Sequence, residues 1–157
     1  MFASDPSAAQ VAQATQHPQV RYAVEPAERC SLADASADLV AVAQALHWFD
    51  FARFFAEVRR VLRPGGVFAA WSYGLMRIDP AVDAVVHAFE HGTVGPYWPP
   101  ERRHVDAGYA TIDFPFEAIA LPSSPPPPLM FDELGDEIPA VGNSLTKVPL
   151  YHPLCML

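Results

Sequence analysis

Three sets of side chains in this sequence could do chemistry. The first is the run Gln44-Ala45-Leu46-His47-Trp48-Phe49-Asp50. An imidazole such as His47 titrates near neutrality, so it can orient a reacting group or take its proton. Trp48 and Phe49 can wall a pocket, and their ring faces attract a cation. The competing reading is a histidine hydrogen-bonded in the core, with aromatics anchoring the next helix. The second is Asp5. An acid at the carboxyl end of a strand can accept both hydroxyls of a ribose. It can equally cap the helix that follows, and the two roles can coexist. The third is His87-Ala88-Phe89-Glu90-His91, which fits the H-x-x-E-H zinc-protease pattern. Two histidines four apart share a helix face, and Glu133 or Glu137 would have to complete the ligand set. The simpler reading places both on a last helical turn, where they suit the helix dipole.

These residues need elements to position them. Met1 to Ser4 reads as a strand stub, and Asp5-Pro6 as the N-cap and first position of a helix over Ala8 to Gln16. His17-Pro18 ends that helix. Val20 to Val24 alternates as a strand, and Leu39 to Ala43 is a short apolar run of the kind parallel sheets bury. Phe51, Phe54, Phe55, Val58, Val61 and Leu62 recur on one face of a helix over Asp50 to Leu62. Pro64-Gly65-Gly66 stops it, and Val67 to Trp71 returns as a strand. Pro80 to Glu90 reads as a helix opened by Asp79, and Phe116 to Leu121 as a last strand. The order (β)αβ–β–α–β–α–β predicts an α/β fold with a mostly parallel sheet.

Composition narrows the partners. A hydrophobic content of 51% supplies a real core. The net charge of −8 and the lack of a basic cluster argue against nucleic acid and anionic membranes. No run of about 18 apolar residues could span a bilayer. The first residues lack the basic and apolar segments of a signal peptide. Cys30 and Cys155 form no ligand spacing, and the expected compartment is a reducing cytoplasm. After Leu121 the prolines crowd, with Pro122 and Pro125-Pro126-Pro127-Pro128 signalling a stiff linker. The expected organisation is one domain over 1–121 and a Pro-rich, disordered tail over 122–157.

The sequence resembles a class I S-adenosylmethionine-dependent methyltransferase, in its type 11, small-molecule branch. The anchors are Asp5 after the strand stub, Ala27-Glu28 after the next strand, Asp34 to Val40, Gln44 to Asp50, and Glu57-Val58-Arg59-Arg60-Val61-Leu62-Arg63-Pro64-Gly65-Gly66. The resemblance implies a Rossmann-like sheet and S-adenosylmethionine as cosubstrate. It gives Asp5 the ribose, Ala27 and Glu28 the adenine, and Gln44 and Ala45 the cosubstrate wall. Pro26 stands where many relatives carry an acid, and Pro offers neither carboxylate nor N–H. His47 becomes the candidate catalytic residue, with Trp48, Trp71 and Tyr73 lining the acceptor pocket. For Trp71 and Tyr73, core packing is the alternative. The polar-Pro-Pro-aromatic loop of base-amine methyltransferases is absent between Ala43 and Trp48. With the acidic charge, that points to a small-molecule acceptor.

The family opens with a strand and a glycine-rich turn, which brings the backbone close to the cosubstrate. Here no glycine precedes Asp5. The expectation is a domain truncated at both ends, lacking the first strand and helix, with an exposed sheet edge open to self-association. Two functions follow: methyl transfer to a small molecule, or a non-catalytic module that pairs its sheet edge with another chain.

Overall fold

The computed structural model describes residues 1–75, 78–119 and 155–156. Its first compact unit runs over Met1–Pro115 and takes in Cys155–Met156. Most of the Pro-rich tail lies outside the described residues, as do Glu133 and Glu137.

The elements in chain order are β1 (Phe2–Asp5), α1 (Ala8–Gln13), β2 (Arg21–Val24), β3 (Ala37–Ala43), α2 (Phe51–Val61) and β4 (Leu62–Trp71), then α3 (Pro80–Ala88), α4 (Arg102–Asp106) and β5 (Cys155–Met156). They form one sheet in the order β2-β1-β5-β3-β4. β1 pairs parallel with β2, and β3 parallel with β4. β5 runs antiparallel to both inner neighbours, pairing with Ala3 and Ser4 on one side and Ala41 and Val42 on the other. The sheet is mostly parallel, as the strand–helix alternation predicts. The sequence gives no signal for β5. Two residues carry no periodicity, and their pairing is set by the sheet that receives them.

The α2 helix forms because its sequence satisfies both ends and one face. Asp50 is the N-cap, its carboxylate accepting the Arg53 N–H at 3.1 Å. Phe54, Phe55, Val58 and Val61 are buried, each contributing about 1.5–3 kcal/mol by leaving water. Phe54 and Phe55 pack against Phe68 of β4, with ring centroids 5.8 and 5.9 Å away, and Phe114 closes on Phe55 at 5.7 Å. Glu57 is the one charged residue on this face. Its carboxylate accepts the Cys30 N–H at 2.8 Å and pairs with Arg60 at 2.6 Å. Arg60 also donates to Leu32 O at 2.8 Å and Asp34 Oδ1 at 2.7 Å, so it clamps the 30–34 loop to the helix.

Pro64-Gly65-Gly66 does more than stop α2. Leu62 already pairs with Ala37, and the ladder resumes at Leu39 and Val67, so the four residues Arg63 to Gly66 bulge out of the strand. A Cβ on Gly66 would lie 2.9 Å from both Arg63 O and Leu62 Cδ2. Only glycine fits that approach.

Several expectations are corrected. α1 starts at Ala8 with Ser7 as its N-cap, so Asp5 is not the N-cap. It also ends at Gln13 rather than Gln16, and Thr15 O instead accepts the Tyr22 hydroxyl at 2.7 Å. The helix from Pro80 ends at Ala88 and continues as a π-helical turn over Phe89–Val94. Residues 116–119, at the start of the expected last strand, form no strand. α4 is unanticipated, because Arg102 to Asp106 is too short and polar to show a helical stripe.

Candidate active site

Parallel strands align their carboxyl ends, and here those ends converge on one cavity. It measures about 280 Å³ and is lined by Ser4, Asp5, Pro6, Ala27, Ala45, Trp48 and Phe49. Ser4 and Asp5 end β1, Ala27 follows β2, and Ala45, Trp48 and Phe49 follow β3. From β1 the chain crosses to β2 on one side, and from β3 to β4 on the other. The connections diverge at that point, and open α/β sheets bind ligands in the crevice so formed.

Within the cavity, Asp5 Oδ1 accepts the Ser7 N–H at 2.7 Å. The acid thus braces the entry to α1 while standing at the cavity wall. Ser4 is 1% exposed, and among the described residues its hydroxyl has no hydrogen-bond partner. A buried hydroxyl left unpaired costs about 1–3 kcal/mol. Ala27 and Ala45 are small and buried, which keeps the space open. Trp48 is 55% exposed and presents its ring at the rim.

The other predicted residues lie outside the lining. Glu28 Oε1 accepts the Asp50 N–H at 3.0 Å, so its carboxylate supports the start of α2. Gln44 takes a left-handed backbone conformation, φ +53, and its side-chain amide donates to Tyr73 O at 2.9 Å. That bond ties the end of β3 to the segment after β4. Trp71 and Tyr73 are 48% and 70% exposed, so core packing does not account for them.

His47 is buried in the turn Leu46–Trp48, facing α4 and the loop beyond it. Its Nδ1 lies 3.3 Å from the Tyr109 hydroxyl. Burial holds the imidazole pKa below its usual value, and the neighbouring His104 and Arg102 charges push the same way. His47 is therefore held neutral. Burial in turn raises the Tyr109 phenol.

The H-x-x-E-H residues make a different structure. His87 and His91 stack with centroids 3.9 Å apart, and Glu90 pairs with Arg102 at 3.2 Å. Among the described residues, no group of three or more potential ligands is placed to hold a metal.

Comparison with known proteins agrees with this architecture. A family model described as a methyltransferase domain matches residues 1–70. A Dictyostelium discoideum protein described as a methyltransferase is 41% identical over 130 residues, covering 76% of this chain and 49% of the relative. An uncharacterized methyltransferase of Mycobacterium tuberculosis is 55% identical over 49 residues, 31% of this chain and 20% of its own length. A solved structure described as a type II methyltransferase from Anaeromyxobacter dehalogenans superposes with a TM-score of 0.69 at 56% identity. It covers 77% of this chain and 52% of that one.

The chain belongs to the class I methyltransferase family. Its Rossmann-like sheet and the residues 1–70 that carry the match include Ser4, Asp5, Ala27, Ala45, Trp48 and Phe49 of the cavity. The chain spans about half the length of the Dictyostelium and Anaeromyxobacter methyltransferases. Sequence reasoning missed Ser4 and Tyr109. Ser4 could have been flagged as the residue before an acid at a strand end. Tyr109 stands 62 residues from His47, and no local pattern links them.

Proposed function

We propose that this chain forms the cosubstrate side of an S-adenosylmethionine-dependent methyltransferase acting on a small molecule. The observation that carries the reading is the cavity at the switch point of the sheet, with Asp5 in its wall. Bound there, S-adenosylmethionine would supply an electrophilic methyl group on a sulfonium.

The chain's own residues divide the remaining work. Asp5 is the acceptor for the ribose hydroxyls. Ala27 and Ala45 leave space for a flat base and its linker. Trp48 and Phe49 offer ring faces to a cation and exclude water from it. His47 lies one residue from Trp48, and its neutral ring offers a hydrogen bond rather than a charge to an acceptor. Positioning of this kind supplies most of the acceleration in a simple displacement. The net charge of −8 supports a small-molecule acceptor over a nucleic acid.

Calorimetry with S-adenosylmethionine tests the reading directly. We expect saturable binding that weakens about ten- to a hundredfold in Asp5→Asn, the range of a lost charge-assisted hydrogen bond. The amide keeps an acceptor for the Ser7 N–H, so the fold is preserved. Absence of binding at millimolar ligand would refute the proposal.

A further inference from the structure

The strand β5 holds an unusual place. In the order β2-β1-β5-β3-β4, the two parallel pairs meet only through it among the described residues. Its backbone pairs Met156 with Ala3 and Ala41, and Cys155 with Ser4 and Val42. Those flanks lie deep in the protein: Ala3, Ser4 and Val42 are at most 2% exposed. The register also fixes where β5 begins. Cys155 stands one residue short of Asp5 and Ala43, the last residues of β1 and β3.

The cavity opens at those same ends, and its walls come from both sides of β5. Ser4, Asp5 and Ala27 belong to the β1–β2 side, and Ala45, Trp48 and Phe49 to the β3 side. Neighbouring strands lie about 4.7–4.9 Å apart, so one intervening strand sets β1 and β3 about 9.5 Å apart. Paired directly, they would stand at about half that distance, and the walls would close on each other. The width of the cavity therefore depends on β5. Yet β5 is held weakly. It has two residues, whereas β3 has seven. The chain leaves the sheet at Trp71 and returns at Cys155, so loop-closure entropy opposes its docking.

We propose that β5 is the spacer that builds the cavity, so that docking of this strand and binding of a ligand are coupled. A ligand that fills the cavity favours the docked strand, and by linkage the docked strand favours the ligand. The identity of that ligand rests on the methyltransferase reading, whereas the spacer role does not.

Hydrogen exchange of the full-length protein, read by mass spectrometry, tests both parts. Met156→Pro removes a backbone N–H that a central strand needs, and Met156→Val keeps it. In Met156→Pro, exchange over residues 2–5 and 37–43 is expected to quicken by about tenfold or more while residues 51–61 stay protected. In Met156→Val all three segments should stay protected. Retained protection of 2–5 and 37–43 in Met156→Pro would overturn the proposal, whether or not S-adenosylmethionine binds. In the wild type, S-adenosylmethionine at about 100 times its calorimetric Kd should slow exchange over 155–156 by about a hundredfold. Unchanged exchange there at that saturation would overturn the proposal even if Met156→Pro failed to fold. A wild type that binds no S-adenosylmethionine would refute the cosubstrate reading alone, because the two variants report on the spacer without ligand.

Discussion

Acid should unfold this protein partly through one carboxylate, Glu57, and Glu57→Gln should remove that part. Glu57 is buried on the inner face of α2 and accepts from Arg60 at 2.6 and 2.9 Å and from the Cys30 N–H at 2.8 Å. The Arg60 hydrogen bonds lower its pKa from 4.5 to about 2, against the opposing effect of burial. At 1.36 kcal/mol per pKa unit the shift corresponds to roughly 3 kcal/mol of stability. Arg60 is 33% exposed, so solvent screening reduces this to about 2–3 kcal/mol. The folded pKa lies below the unfolded one, so the contribution is fully present above about pH 4.5. It is lost as pH falls from there toward 2. Urea unfolding at a series of pH values reads this out. At pH 7 the Gln variant is expected to be less stable than wild type by about 2–3 kcal/mol, and the two should converge near pH 2. The other carboxylates titrate in both proteins, so the difference isolates Glu57. If the two curves stay parallel across the acid range, the pair does not store this energy and the reasoning fails.

Other substitutions probe the strand geometry and the cavity. Gly66→Ala places a methyl 2.9 Å from Arg63 O, and should cost about 1–3 kcal/mol in urea unfolding. Ser4→Ala removes a buried hydroxyl that has no partner among the described residues, and should raise stability by about 1 kcal/mol in urea unfolding. Deleting residues 152–157 takes β5 from between β1 and β3 and leaves Ala3, Ser4, Ala41 and Val42 without those strand partners. We propose that this flank then pairs between copies, so light scattering should show concentration-dependent association that the full chain lacks.

The legible parts of the fold are those written in local periodicity. Phe54, Phe55, Val58 and Val61 announce α2 and its buried face, and Leu39 to Ala43 announces β3. Capping was legible at Asp50, where one acid precedes the apolar stripe. It was ambiguous at Asp5-Pro6-Ser7, where two residues of capping type compete and Ser7 wins. The site was legible where loops follow strands, as at Asp5, Ala27, Ala45 and Trp48. It was not legible where chemistry depends on pairing across the fold. Glu28 looks like a ligand residue in sequence, yet its carboxylate meets the Asp50 N–H 22 positions away. Arg60 looks like the solvent face of α2, but it reaches back to Cys30, Leu32, Glu57 and Asp34. Tyr109 has no motif at all, because a left-handed turn after a five-residue helix leaves no periodic trace.

The cavity itself argues for a class of ligand before any family is considered. Its wall holds one acid, one serine, two aromatic residues, two alanines and a proline. No cationic side chain and no glycine stands in that lining. A pyrophosphate needs the opposite: backbone N–H groups in a glycine turn, a helix N-terminus, or a basic side chain. A pyrophosphate set against these residues alone would face the Asp5 carboxylate with nothing in the lining to offset it. A ligand whose hydroxyls meet Asp5 and whose positive charge meets Trp48 and Phe49 leaves no such deficit. We propose S-adenosylmethionine as such a ligand, because its ribose diol and its sulfonium stand in that relation.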